Sequence, residues 1–401
     1  MTTRPDAPTG RGRLGVVMLL GWNGLGGTQR QALKLSTRLQ PLGVHPIVMT
    51  MRDAGLAGVD RVDGVDVHRV GRAPAARLRP LAFLGGFLGW ALRQRRAFEV
   101  VHAHNLPAAL TAALLRPLLR APVVVKLPNA VGIEQFGRRR LGRLRWRVLR
   151  DQIDRFVAVN AEIEGRLLAM GVAAGRIVRI PNGVEAPAGL SGAEAAGVRR
   201  ALGVNPHAPV VVYLGRLIPD KGLAWLLRAW ADVVPAEPAS HLLIVGDGPD
   251  GARLRDLADR LGIAASVSFL GHRTDVAALL GIADVLVHPS RSEGMSNAVL
   301  EGMSHGLAIV ASDVPGNRAL VEPGREGLLV PYEDGPGLTA ALLALLGDAD
   351  LRRRLGREAA AVSASTFSLD AVATAYHALY QDLIARPGPA VEPATASSVA
   401  R

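Results

Sequence analysis

The segment SEGMSNAVLEGMSHG (292–306) follows an apolar run, ADVLVHPS, and sets Glu293 and Glu301 apart by seven residues. A helix beginning near Ser296 places Glu293 at its mouth, where free backbone N–H groups and the helix dipole favour anions. Gly294, Met295, Ser296 and Asn297 then form the turn into that helix. Asn297, Glu301 and Ser304 fall at i, i+4 and i+7, a polar stripe on an otherwise apolar helix. Carboxylates so placed can accept hydrogen bonds from sugar or ribose hydroxyls. A capping glutamate above a solvated helix face is the plainer reading of the same pattern. The segment YLGRLIPDKG (213–222) carries Arg216 just after a buried strand and Lys221 five residues on, before a helix. Two cations and a helix N-terminus at the carboxyl edge of a sheet make a diphosphate cradle; two surface cations in a turn are the alternative. Of 47 basic residues only Lys34, Lys126 and Lys221 are lysines, so each is worth asking about. At Lys221 a compact point charge suits a phosphate.

Three further patterns are less specific. GLGGTQ (24–29) puts Gly26 and Gly27 in a loop between strand and helix. It lacks the G-x-G-x-x-G spacing, and the next strand, HPIVMTM, has no acidic residue at its end for a ribose hydroxyl, so dinucleotide binding is poorly supported. The loop allows close approach of backbone to a phosphate, or is simply a tight turn. VVHAHN (100–105) ends a strand with His102 and His104 on one face. Further metal ligands are lacking nearby, so a structural His102 and a cleft-facing His104 are the better reading. VGDGP (245–249), with Gly246 and Asp247, and IPNGV (180–184) are turn chemistry first, with ligand contact as a second use.

These residues need a frame, and 401 residues exceed what one core usually holds, so two domains of roughly 150–200 residues are expected. Strand and helix patterns alternate along nearly the whole length, the grammar of α/β layers on parallel sheets. Strands are expected at LGVVMLL, HPIVMTM, FEVVHAH, APVVVKL, RFVAVN and IVRIPN. The second half restarts with PVVVYLGRL and HLLIVGDG, then VSFLG, ADVLVHP and AIVAS. EAPAGLSGAEAAG (185–197) is small and flexible and is assigned as the linker between domains 1–184 and 198–368. A Pro/Ala/Ser tail over 387–401 is expected to be disordered. Two successive Rossmann-like halves imply a cleft in which ligands bind at the carboxyl ends of strands.

Composition removes other classes. The absence of cysteine excludes disulfide frameworks, thiolate zinc sites and cysteine nucleophiles. LGVVMLL lacks a cleavage site after it and enters a helical pattern, unlike a secretory signal. The stretch PLAFLGGFLGWAL (80–92) has 13 residues, where a bilayer span needs about 20. A cytoplasmic protein without a transmembrane helix is expected. Residues 1–185 carry 29 Lys and Arg against 12 Asp and Glu, whereas 186–401 carry 18 against 23. The basic half therefore faces something anionic: nucleic acid, a membrane surface or an acidic substrate. Only 16 aromatics and no recognisable binding module argue against nucleic acid.

Taken in order, the GGTQ loop, HAHN, IPNGV, LGRLIPDKG, VGDGP, FLGHR and HPSRSEGMSNAVLEGMSHG resemble the retaining glycosyltransferases of the GT-B fold, glycosyltransferase family 4. The resemblance runs over about 370 residues and its strength lies in the ordered set. It implies two Rossmann-like domains facing a central cleft, with a final helix (369–386) crossing back onto the first. It implies that Arg216 and Lys221 hold the donor diphosphate, aided by Gly26 and Gly27 across the cleft. Glu301 would bind the ribose hydroxyls, and Glu293 with Gly294–Asn297 the transferred sugar. Gly246, Asp247 and Leu270 would complete the donor pocket. His104 would lie near the sugar's C6 hydroxyl, and Asn129 and Asn23 on the acceptor side. The family's second histidine has no counterpart in KLPNA; Asn129 replaces it or the contact is absent.

The implied activity is metal-independent, cofactor-free transfer of a hexose from a nucleoside diphosphate, UDP rather than GDP, to a lipid-linked or cell-envelope glycan acceptor. A soluble small-molecule acceptor and a non-transferring nucleotide-sugar 2-epimerase are the alternatives. The segment RRRLGRLRWRVLR (138–150) adds a peripheral membrane expectation, at the inner face of the plasma membrane. Leu141, Leu144, Val148 and Leu149 form one helical stripe, Arg143, Arg147 and Arg150 another, and Trp146 lies between them at an interfacial position. A domain helix packing its stripe inward is the alternative.

Overall fold

The computed structural model describes residues 13–21, 27–52, 57–73, 75–129, 132–133 and 141–385. Gly26, Asn23, Arg138, Arg139, Arg140 and the 387–401 tail therefore lie outside the described residues.

Two sheets carry the chain. The first has the order β3-β4-β2-β1-β5-β6-β7-β8. Its strands are β1 (Leu14–Gly21), β2 (Val44–Met51), β3 (Val59–Val62), β4 (Val65–Val70), β5 (Val100–Ala103), β6 (Val123–Leu127), β7 (Arg155–Ala158) and β8 (Ile177–Arg179). All pair in parallel except β3, which is antiparallel to β4. The second sheet, β11-β10-β9-β12-β13-β14, is parallel throughout. It comprises β9 (Val210–Leu214), β10 (His241–Val245), β11 (Val267–Gly271), β12 (Val285–His288), β13 (Ala308–Ser312) and β14 (Gly327–Val330). Central strands such as Val123–Leu127 and Val210–Leu214 are buried along their whole length, because helices cover both faces of a parallel sheet.

Two strand regions escape the sequence reading. β3 and β4 form a hairpin through Asp63 and Gly64, both at positive φ, the geometry an Asp-Gly pair favours in a two-residue turn. β14 is a short edge strand, GLLV. The apolar stretch 80–92 is a domain helix, Arg79–Arg93, whose Gly86 lies against Gly71 so closely that a Cβ would fall 2.4 Å from the Gly71 nitrogen. Among the described residues no helix is long and apolar enough to cross a membrane.

The linker assignment needs correction. Residues 185–191 have no regular secondary structure, but Gly192–Ala201 is a helix opened by a capping box between Ser191 and Glu194. Small residues read as flexible there, whereas alanines behind a capping box are good helix formers. The chain crosses between sheets near Val184 and returns near Ser368, and the two passages pair: Val184 N donates to Phe367 O at 2.8 Å, and Leu369 N to Val184 O at 2.9 Å. The last helix, Leu369–Ala385, then packs on the first sheet. Its Val372, Tyr376, Tyr380 and Leu383 join one core with Val16, Met18, Val124 and Val157.

Candidate active site

β12 ends at His288, and the chain turns through 289–296 into the helix Asn297–Ser304. Ser296 caps that helix, its hydroxyl accepting from Val299 N. Glu293 therefore stands at the helix mouth. Lys221 follows β9 on the neighbouring loop, held by Gly222 at φ 70° with the lysine N–H donating to Ile218 O. Lys221 Nζ donates to Glu293 Oε1, and His288 Nε2 lies 2.8 Å from the same oxygen. The Glu293 side chain is only 13% exposed. Burial alone raises a carboxyl pKa, but the hydrogen bond from His288 and the charge of Lys221 outweigh it and hold Glu293 well below the carboxylate range. Glu293 is thus a fixed anion.

Arg216 is exposed on the same loop, and its carbonyl accepts from the Tyr213 hydroxyl at 3.1 Å. Gly246 sits where a Cβ would fall 1.9 Å from Gly215 O, and Leu217 N donates to Asp247 O. These contacts join the Gly246–Asp247 turn to the Arg216 loop. Gly246 N also donates to Gly271 O, which brings Leu270 to the same edge. The second domain thereby gathers Arg216, Lys221, Gly246, Asp247, Leu270 and Glu293 at the carboxyl ends of its strands.

The first domain closes against the 294–297 turn. A Cβ on Gly294 would fall 1.7 Å from Pro128 O and 2.8 Å from Asn129 Cα, so only glycine fits this apposition. Asn160 Nδ2 donates to Gly294 O. Asn182 Nδ2 donates to Asn297 Oδ1 at 2.8 Å, and Asn182 N lies 3.1 Å from Met295 Sδ. Asn297 Nδ2 reaches Gly27 O at 3.3 Å, and Lys34 Nζ lies 3.9 Å from Glu301. Glu301 has its pKa raised, chiefly by burial, with Lys34 and Arg30 opposing. Asn129 is exposed and its Oδ1 accepts from Gly132 N within its own turn.

Two expectations change. His104 does not face the cleft: it is fully buried, stacked on His102 with ring centroids 4.1 Å apart and with Nε2 3.4 Å from Met18 Sδ. Both histidines share the strand face that Tyr376 and Tyr380 cover, and His102 Nδ1 meets the Tyr380 hydroxyl at 2.7 Å. Burial and the nearby Lys126 lower both imidazole pKa values, so the rings are neutral. Trp146 is not interfacial. It is buried, and its indole donates to Met170 O. His288 and Asn160 are site residues that no local pattern assigned, and Asn182 belongs to IPNGV, read first as turn chemistry. Asn160 and Asn182 each follow a strand end in RFVAVN and IVRIPN, the one available signal. Among the described residues no three His, Asp or Glu side chains cluster in a way that could hold a metal.

Comparison with known proteins places this geometry. The family model described as Glycosyltransferase Family 4 matches residues 25–186, and that described as Glycosyl transferases group 1 matches 208–348. The chain is 33% identical over 294 residues to a D-inositol 3-phosphate glycosyltransferase of Nocardia farcinica, covering 70% of this chain and 61% of that protein. It is 30% identical over 363 residues to the 2-deoxystreptamine N-acetyl-D-glucosaminyltransferase of Streptomyces fradiae, covering 83% of this chain and 85% of that one. Among solved structures, Anabaena HepE in complex with UDP-glucose superposes with a TM-score of 0.79 at 20% identity, over 92% of this chain and all of that one. The fold is that of GT-B enzymes.

Proposed function

The chain belongs to the family 4, group 1 glycosyltransferases, and from that membership we propose that it transfers a hexose-type sugar, with retention of configuration, from a nucleoside diphosphate to an acceptor. The observation that carries this reading is the Lys221–Glu293 pair at the mouth of the helix Asn297–Ser304, facing the first domain across the cleft. Departure of a nucleoside diphosphate develops negative charge. Lys221, the exposed Arg216 and the free N–H groups at that helix mouth can stabilise it without a divalent metal. Glu293, anionic and fixed, orients the sugar hydroxyls. The acceptor attacks from the face the diphosphate leaves, which retains configuration. Glu301, toward the first domain, binds the ribose. UDP is favoured as the carrier, in keeping with the UDP-glucose held by the Anabaena neighbour.

For the acceptor, a lipid-linked or cell-envelope glycan is supported by the basic first half and by one surface. Leu141 and Leu144 are 67% and 56% exposed beside the exposed Arg143 and Arg147. Leu114 and Leu118 add exposed apolar area on the adjoining helix. Each cation near an anionic leaflet contributes roughly 1 kcal/mol. A soluble small-molecule acceptor is the second reading, favoured by relatives named for D-inositol 3-phosphate and 2-deoxystreptamine.

The test is a panel of sugar nucleotides scored for nucleotide release, with and without a membrane lipid extract and with small polyols. Release from no donor would overturn the transferase reading. Sedimentation with anionic vesicles at low salt and release at about 0.5–1 M salt, as screening shortens the Debye length, is expected of the membrane reading. Equal binding to neutral and anionic vesicles, or none, leaves the soluble acceptor.

A further inference from the structure

His288 is 2% exposed at the end of β12, directly beneath Glu293. Its Nδ1 is buried without a hydrogen-bond partner among the described residues, while its Nε2 faces a carboxylate that can only accept. A proton therefore sits on Nε2, which donates to the carboxylate. Ser290 and Ser296 hydroxyls lie 3.2 and 3.1 Å from the same nitrogen. The ring is stacked on Tyr213, centroids 6.3 Å apart and planes 10° apart, and the Tyr213 hydroxyl in turn fixes the Arg216 carbonyl. One buried pair thus braces both the Arg216 loop and the Glu293 turn. Glu293 Oε1 receives two donors, Lys221 and His288, whereas Oε2 has no hydrogen-bond partner among the described residues.

We propose that His288 is a positioning residue: its Nε2–H turns Oε1 of Glu293 inward and leaves Oε2 as the oxygen that accepts a hydroxyl of the transferred sugar. This deepens the transferase reading and rests on it. Lys221 alone cannot fix the carboxylate plane, because its ammonium is a point charge on a flexible stem. A misplacement of about 1 Å at a reacting centre costs up to ~10²-fold in rate. Loss of His288 therefore acts on turnover, while the bare nucleoside diphosphate, which does not meet Oε2, binds as before.

The substitutions that decide it are a polar pair, His288→Gln and His288→Asn. A glutamine amide reaches the place of Nε2, whereas an asparagine amide reaches that of Nδ1. His288→Gln should keep turnover within about fivefold, and His288→Asn should lose about 30-fold with the donor KM within about threefold, as expected of a misplaced orienting group. Calorimetry should find UDP affinity unchanged in both. The acid limb of kcat/KM should move to higher pH in His288→Asn but not in His288→Gln, because in the former the Glu293 anion has lost a donor. His288→Phe, which keeps the stacked ring, should match asparagine. Equal losses in the Gln and Asn variants, both folded by thermal melting, would overturn the proposal, as would wild-type turnover and acid limb in His288→Asn. If the wild-type protein releases nucleotide from no donor, the transferase reading fails instead. In that case a 13C NMR titration of the Glu293 carboxyl still decides His288: a higher pKa in Asn than in Gln supports it, and equal values overturn it.

Discussion

Two lysine–glutamate pairs face the cleft, and they are built differently. Lys221 and Glu293 belong to one domain, are 21% and 13% exposed, and sit on adjacent loops braced by His288 and by the capped helix. Lys34 and Glu301 come from opposite domains, are 36% and 30% exposed, and stand 3.9 Å apart. Lys34 is also shared with Glu185 at 3.3 Å, which Arg38 contacts in turn. The first pair is preorganised whatever the domains do. The second exists only when they are apposed. Charge that must be correct to a fraction of an ångström lies within a single rigid unit, and charge that needs only to attract lies across the gap.

The strongest way to break this contrast is Lys221→Ala. Removing a preorganised cation from the leaving diphosphate costs about 10²–10³ in turnover, with a smaller change in donor affinity. Stopped assays of nucleotide release measure it, and turnover within threefold of wild type would remove Lys221 from the diphosphate. Next come the carboxylates. Glu293→Gln should reduce turnover and sugar discrimination, whereas Glu301→Gln should chiefly weaken the bare nucleotide, by roughly tenfold for one lost charge-assisted hydrogen bond. Calorimetry with the nucleotide alone separates them; equal losses would mean that the two carboxylates are exchanged in role.

The same pair diverges in stability, with opposite signs. The depressed pKa of Glu293 adds stability that is present above the ordinary carboxyl value of 4.5 and is lost as pH falls through the folded-state pKa. The raised pKa of Glu301 does the reverse: its ionisation penalises the folded state, and the penalty fades as pH falls through the raised pKa toward 4.5. At pH 7, Glu293→Gln should destabilise by about 1–3 kcal/mol, since it strands the Lys221 charge and the His288 donor. Glu301→Gln should stabilise by ~0.5 kcal/mol or less. Thermal melts at pH 7 read the two mutational effects and melts from pH 2 to 8 the pH dependence, and a common sign would refute the distinction. The smallest expected effect is that of EDTA, which should leave activity intact if Arg216 and Lys221 supply the cations. Loss restored by magnesium would overturn a metal-free departure.

Local chemistry was readable where the answer lies within a few residues. Ser296 as helix cap, Glu293 at the helix mouth and the buried strands around Arg216 follow from spacing and from turn residues. The Asp63-Gly64 hairpin is equally local, an Asp-Gly pair between two short strands. What was illegible is contact at long range. Asn160 meets Gly294 across 134 positions and Asn182 meets Asn297 across 115, and a place just after a strand end does not tell which partner either one meets. His288 looked like one more strand residue, because its role depends on which way the next loop turns. Trp146 shows the limit of periodicity: a helical stripe tells that one side is covered, and Leu149 and Trp146 rather than Leu141 and Leu144 turned out to be on it. His104 shows the same limit on a strand, where its ring lies on His102, itself covered by a helix more than 260 residues later.

The paired passages at Val184 and Ser368 carry a mechanical consequence. A two-domain chain tied by a single tether can swing, twist and slide. Here two tethers run side by side and are stitched by the bonds from Val184 N and Leu369 N. Sliding or twisting would shear those bonds, whereas rotation about the line they define leaves them intact. Hinge rotation about that line is the motion the stitched passages resist least. Rotation of that kind would widen the cleft and act on every contact made across the gap, from Gly294 against Pro128 to Lys34 against Glu301.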